Sequence, residues 1–353
     1  MATSDWKLSV MIAHGSVRRA VDLWKACEAA GLHVIGAADS QNLMREIYVS
    51  LTACALNTSR AKIMSYATNP VTRHPTVTAG AFVALEELAP GRLMMGIATG
   101  DSAMWSMGRK PAKLAALREY IVAVKALCAG EEITWDGHSF KPRWAYFEPF
   151  DLPTYVMCSG PKILRMAAEV SDGSVVHMGF APEDIAYARS IIDEGRRAVG
   201  KDPDTFDVWW NAHIVFDETY EAAAERSVGW LPSWLTMGSM DGKGIPDTYK
   251  EKLKQLNADT HSLNAVYRSG NRDETVAARA KELGIHDWLL SRSPRLFGTV
   301  DDVVDRLNEL GSTLDMKQWI FFAWGRGERT GGGDEERYEM INTVGREILP
   351  RLV

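Results

Sequence analysis

Eight short apolar runs, each followed by a stretch of helical periodicity, set the strongest constraint on how this chain can fold. The runs are 8–13, 34–38, 61–67, 93–98, 154–158, 173–178, 206–216 and 317–323. Segments 17–30, 44–56, 76–88, 111–127, 162–170, 182–199, 219–228, 299–310 and 334–349 repeat their apolar residues at helical spacing. A short, almost wholly apolar run reads as a strand buried on both faces, and strands that alternate with crossover helices run parallel. Eight such units predict an α/β fold, a (β/α)8 TIM barrel with insertions. A doubly wound open sheet is the alternative. The lack of a Gly-rich dinucleotide fingerprint after the first run weighs against it.

The alternation breaks twice. Residues 131–152 carry aromatics and prolines without a period and read as a long loop or short hairpin. Residues 229–294 hold Trp230, Trp234 and Trp288 with two short helical patterns, and read as a helical insertion that roofs the barrel mouth. The expectation is one barrel domain over 1–353. The tail of the last strand, Trp324 to Gly327 and then Gly331 to Gly333, reads as a glycine-rich loop over the mouth rather than a nucleotide motif.

Composition narrows the function class. The formal net charge is -6 and there is no long basic run, which argues against a nucleic-acid binder. Four cysteines without a CxxC pair suit a reducing cytoplasm. No basic segment followed by an apolar stretch opens the chain, and no run approaches 18 apolar residues, so neither a signal peptide nor a membrane span is expected. HExxH, GxSxG and Walker patterns are missing, and the histidines are scattered, so no metal site is expected. The expected class is a cytoplasmic enzyme acting on a small molecule.

In a parallel barrel the chemistry sits at the carboxyl ends of the strands. Asp39-Ser40 ends the second run, as a carboxylate in the mouth or a helix cap. Tyr66-Ala67-Thr68-Asn69-Pro70 and then Thr72-Arg73-His74-Pro75 follow the third, as a polar cluster or an ordinary turn. Thr99-Gly100-Asp101-Ser102 ends the fourth; the next periodic helix begins some ten residues later, so capping explains Asp101 poorly. Cys158-Ser159-Gly160-Pro161-Lys162 leads into a helix and offers a phosphate seat or a plain N-cap. Asp172-Gly173 and Gly179 are candidates to complete that seat.

These segments together resemble the luciferase-like flavin oxidoreductases. The matching pieces are GLHVIGAADS, YATNPVTRHP, APGRLMMGIATGDSA, KPAKLAALREYIVAVKAL, VMCSGPKILRMAAEVSDG and LFGTVDDVVDRLNEL, in family order across nearly the whole chain. The NP-x-x-RHP and GDSA pieces are most similar to the methylenetetrahydromethanopterin-reductase-like branch. The resemblance implies a flavin ring in the barrel mouth, backed by a non-proline cis peptide at Tyr66-Ala67. It implies that Thr68, Asn69, Thr99 and Gly100 lie by the ring, that Ser159 and Gly160 hold a phosphate, and that Gly179 makes a second backbone contact. A homodimer through the helices after strands two and three is also implied. Two departures stand out. Some coenzyme F420-dependent relatives carry a His after Asp39 and a Glu after Thr99-Gly100, where this chain has Ser40 and Asp101.

The expected function on this basis is a two-component monooxygenase. It would take reduced FMN from a flavin reductase, add O2 and oxidise a small aromatic or heterocyclic substrate. Asp101 would be the acid, base or substrate anchor, supported by Asp39 and His74. A coenzyme F420-dependent hydride-transfer enzyme is the first alternative, and a non-catalytic flavin-binding relative the second.

Overall fold

The computed structural model describes residues 5–229, 231–260, 272–322 and 334–353. Trp230, the end of the last predicted strand and the glycine-rich segment from Trp324 to Gly333 lie outside the described residues.

The chain runs β1 (Lys7–Ile12), α1 (Val17–Ala29), β2 (Val34–Ala37), α2 (Ile47–Asn57), β3 (Lys62–Ser65), α3 (Pro75–Leu88) and β4 (Leu93–Ile97). It continues with α4 (Ser102–Ser106), α5 (Leu114–Cys128), a hairpin of β5 (Ile133–Trp135) and β6 (His138–Phe140), β7 (Thr154–Cys158), α6 (Pro161–Val170), β8 (Gly173–Val176) and α7 (Pro182–Ala198). Then come β9 (Asp207–Ala212), β10 (Val215–Phe216), α8 (Tyr220–Val228), α9 (Leu231–Thr236), α10 (Asp247–Thr260), α11 (Arg272–Glu282) and α12 (His286–Ser291). The last described elements are β11 (Phe297–Gly298), α13 (Val300–Leu314), β12 (Gln318–Phe322) and α14 (Asp334–Thr343).

Eight strands close a barrel in the order β1-β12-β9-β8-β7-β4-β3-β2. Every neighbouring pair in it is parallel. This is the expected (β/α)8 architecture. Strand side chains alternate between two cores. Met64, Met94, Tyr155, Val175 and Trp209 fill the barrel. Ile12, Ile63, Ile97, Val156 and Val176 pack outward against the helices.

Local chemistry moves several predicted boundaries. The helix expected from 44 begins at Ile47, because the Glu46 carboxylate accepts from Val49 N at 2.9 Å and caps it. The strand expected over 61–67 stops at Ser65, and a cis peptide joins Tyr66 to Ala67. The run expected over 206–216 is two strands: β9 belongs to the barrel, whereas β10 leaves it and pairs with β11. The stretch 131–152 contains the β5–β6 hairpin. Within 229–294, Leu231, Trp234, Leu253, Leu256, Val276 and Leu289 share an apolar cluster of their own.

Candidate functional site

A cavity of about 740 Å³ lies at the carboxyl ends of the barrel strands. Met11, Ala13, Tyr66, Met157, Val175 and Phe322 give it an apolar floor. Polar groups ring that floor: Asp39 and Ser40 after β2, Thr99 to Ser102 after β4, Ser159 and Gly160 after β7, His177 after β8, and Asn211 and His213 from β9 and just beyond it.

Asp39 and Asp101 share the rim but differ in surroundings. Asp39 is buried and fully engaged. It accepts from both terminal nitrogens of Arg73 at 2.6 and 3.2 Å, from Thr68 Oγ1 at 2.9 Å and from Gln41 Nε2 at 2.6 Å. Arg73 in turn lies over the Tyr48 ring and reaches Glu46 at 2.8 Å. A carboxylate so held by bidentate, charge-assisted bonds is a fixed anchor. Asp39, expected as a support for Asp101, lines the cavity and is held there by Arg73 and Thr68.

Asp101 is the opposite case. It precedes the five-residue α4 yet makes no side-chain capping bond. Its Oδ1 is buried and has no hydrogen-bond partner among the described residues. Burial raises its carboxyl to about 6. A carboxyl that changes charge near neutrality inside a cavity is suited to general acid–base work. Gly100 makes the sharp entry possible, with φ +88 and Met104 Cγ only 2.8 Å from where a Cβ would stand. Beside it, Ser40 Oγ and Ser102 Oγ share a hydrogen bond of 2.7 Å, joining the ends of β2 and β4.

The turn after β7 fits an anionic group. Gly160, not Ser159, is the N-cap of α6, and no side chain caps the helix. The start of this helix, Gly160 to Ile163, lines the cavity with Ser159 beside it. The wall above comes from the insertion. Gly242 approaches Pro161, with 2.7 Å between its would-be Cβ and Pro161 Cγ. The buried Lys243 Nζ donates to the carbonyls of Trp234, Leu235 and Met237, and burial pushes its ammonium down to about 8. The Trp234 ring stacks on His177 at 5.1 Å. Burial first, and the Lys243 charge next, lower the His177 imidazole to about 3, so it is neutral.

Five other expected contributors stand apart from the cavity wall. His74 is the N-cap of α3: its Nδ1 accepts from Thr76 N at 3.2 Å, and its ring meets Trp135 and Phe140 of the hairpin. Its catalytic assignment is therefore corrected to a capping one. Thr68 and Asn69 are buried behind the cavity lining rather than on it. Thr68 holds Asp39, and Asn69 Oδ1 accepts from Val71 N and Thr72 N, both at 3.0 Å. Gly179 has φ +100 and packs against the Asp184–Arg292 ion pair, which leaves its backbone off the cavity wall. Asp172 lies at the far end of the barrel, where it accepts from Thr154 N at 2.8 Å. Sequence reasoning placed Arg73 in a polar cluster without a role, and missed His177, Asn211, Lys243 and Asn257. The positions of His177 and Asn211 at strand ends were the available signal. Among the described residues, no group of three or more His, Cys, Asp or Glu could hold a metal ion, and no helix is long and apolar enough to cross a membrane.

Comparison with known proteins agrees with the fold and changes the functional reading. The profile of the family described as Luciferase-like monooxygenase matches residues 4–315. A 5,10-methylenetetrahydromethanopterin reductase of Methanolobus tindarius is 33% identical over 332 residues, 92% of this chain and 94% of that protein. An F420-dependent glucose-6-phosphate dehydrogenase of Microbacterium testaceum is 29% identical over 314 residues, 86% of this chain and 81% of that one. The structure of the coenzyme F420-dependent tetrahydromethanopterin reductase of Methanopyrus kandleri superposes with a TM-score of 0.71 at 22% identity, over 98% of this chain and 100% of that one. The expected FMN-dependent monooxygenase is overturned by these matches. The relatives matched by sequence are reductases and dehydrogenases, and where their names give a carrier it is F420. The misreading has a local cause. Ser40 stands where some F420-dependent relatives carry a His, whereas the cavity retains a buried carboxyl at Asp101.

Proposed function

The chain belongs to the luciferase-like monooxygenase family and is an oxidoreductase of it, and on that footing we propose that it moves a hydride between coenzyme F420 and a small organic substrate. The observation that carries this reading is that an F420-dependent relative matches over 86% of the chain. The cavity fits such a group. Its floor is apolar and can receive a planar ring, with the Tyr66-Ala67 cis peptide at its edge. The uncapped start of α6, with Ser159, Gly160 and Lys162, suits a phosphate.

When bound, F420 supplies or accepts the hydride. The rest falls to the chain. Asp101 gives or takes the proton that accompanies the hydride at the substrate: burial pushes its carboxyl up to about 6, and its Oδ1 has no hydrogen-bond partner among the described residues. Asp39, clamped by Arg73, fixes the ends of β2 and β3. The insertion wall, with Trp234 and Met237, keeps water from the floor. The proposal includes a homodimer: Val49 and Leu56 of α2 and Val77 and Leu88 of α3 expose apolar side chains on helices that touch each other, a surface that a second copy would cover.

The test is an anaerobic titration of the purified protein with F420 and, separately, FMN, followed by absorbance and fluorescence. The reading expects F420 to bind at least about tenfold more tightly, roughly 1.4 kcal/mol. Equal or tighter binding of FMN would contradict it.

A further inference from the structure

Hydride transfer uses the barrel side of the cavity. The opposite wall includes α9 and α10, where two buried polar atoms, Trp234 Nε1 and Asn257 Oδ1, have no hydrogen-bond partner among the described residues. Leaving a buried donor or acceptor unpaired costs about 1–3 kcal/mol. Two such atoms on helices that pack together, in residues that line one cavity, mark a surface made for something other than the chain itself.

We propose that Trp234 and Asn257 read the substrate, and that it offers them a neutral group with one hydrogen-bond acceptor and one donor, a carboxamide or lactam edge, rather than a phosphate or carboxylate. This rests on the cavity being the substrate site of the proposed oxidoreductase.

Charge distinguishes the two kinds of ligand. Lys243 is the buried cation on this wall, and an ammonium has three donors. All three are taken by the carbonyls of Trp234, Leu235 and Met237, at 2.8, 3.3 and 2.6 Å. It closes the end of α9 and keeps no N–H for an incoming anion. Asp241 adds a carboxylate to the same wall, and Asp101 faces the cavity from the barrel. An anionic group here would meet acceptors while losing its hydration, which is strongly unfavourable. A substrate N–H satisfies Asn257 Oδ1 and a substrate C=O satisfies Trp234 Nε1. His177 under the Trp234 ring is neutral and brings no competing charge.

The experiment is calorimetric titration of the F420-saturated protein, and of the protein without cofactor, with three ring-matched probes: benzamide, benzoate and phenyl phosphate. The expected result is benzamide binding about tenfold more tightly than either anion, with Asn257→Ala and Trp234→Phe each erasing that preference. Trp234→Phe keeps the ring in the insertion core, so the test survives if Asn257→Ala folds poorly. The proposal falls if either anion binds as tightly as benzamide, if no probe binds, or if both variants keep the preference. Discrimination without F420 binding would overturn the choice of carrier and leave this wall standing; F420 binding without discrimination would do the reverse.

Discussion

Two aspartates at opposite ends of one barrel have opposite surroundings. Asp207 opens β9 at the closed end. It accepts from Tyr155 Oη at 2.9 Å, Trp209 Nε1 at 2.9 Å and Gln318 Nε2 at 2.7 Å, so three strands meet on one carboxylate. Asp101 follows β4 at the open end and has a buried oxygen with no partner. The first arrangement satisfies the polar groups that would otherwise weaken the plug of the barrel. The second leaves a carboxyl in want of a donor and raises it to about 6. The bottom of the barrel ties three strands together, and the mouth leaves a carboxylate oxygen without a partner among the described residues.

The contrast can be broken by substitution, and the largest effect is expected at the mouth. Asp101→Asn should lower kcat/KM about 10²-fold or more in F420-linked turnover of a substrate found by screening, since general acid–base catalysis contributes about that much. The same variant should melt at or above the wild-type temperature at neutral pH. A carboxyl raised in the folded state ionises more readily when unfolded, so the native state loses stability as pH climbs from the unfolded value towards 6, and Asn removes that penalty. Asp207→Ala should do the reverse. It orphans three donors and should cost about 2–4 kcal/mol in chemical denaturation, while the folded fraction keeps its kcat/KM. Ser40→Ala breaks the Ser102 bond and should change kcat/KM by about fivefold at most, near 1 kcal/mol. His74→Ala should cost about 1 kcal/mol of stability as a lost cap, with turnover unchanged. A turnover loss there as large as that of Asp101→Asn would return His74 to the catalytic group.

What was legible in the sequence follows from range. The barrel shows in local pattern because each strand buries both faces and each helix one, so apolar periodicity carries the architecture. Asp101 was legible for a similar reason: a carboxylate after a strand and a glycine, without a long helix close behind, is an odd place for a cap. The roles of Asp39 and His74 were not legible because their partners decide them. Arg73 lies 34 residues from Asp39, and nothing in the DS dipeptide announces the clamp. His74 looked functional in a polar cluster, yet Pro75 at the first helical position already favours a cap before it. The insertion wall was the least legible part. Lys243, Trp234 and Asn257 meet the cavity only through helix packing, and no short motif encodes that.

The central claim is that the unpartnered carboxyl at the mouth carries the proton, and infrared difference spectroscopy over about pH 4–8 tests it without any substrate. Wild-type protein with bound F420 should show a protonated-carboxyl C=O band that vanishes through about pH 6, and Asp101→Asn should lack it. A mouth carboxyl already ionised at pH 5, or a band at pH 6 that persists in the variant, would contradict the account.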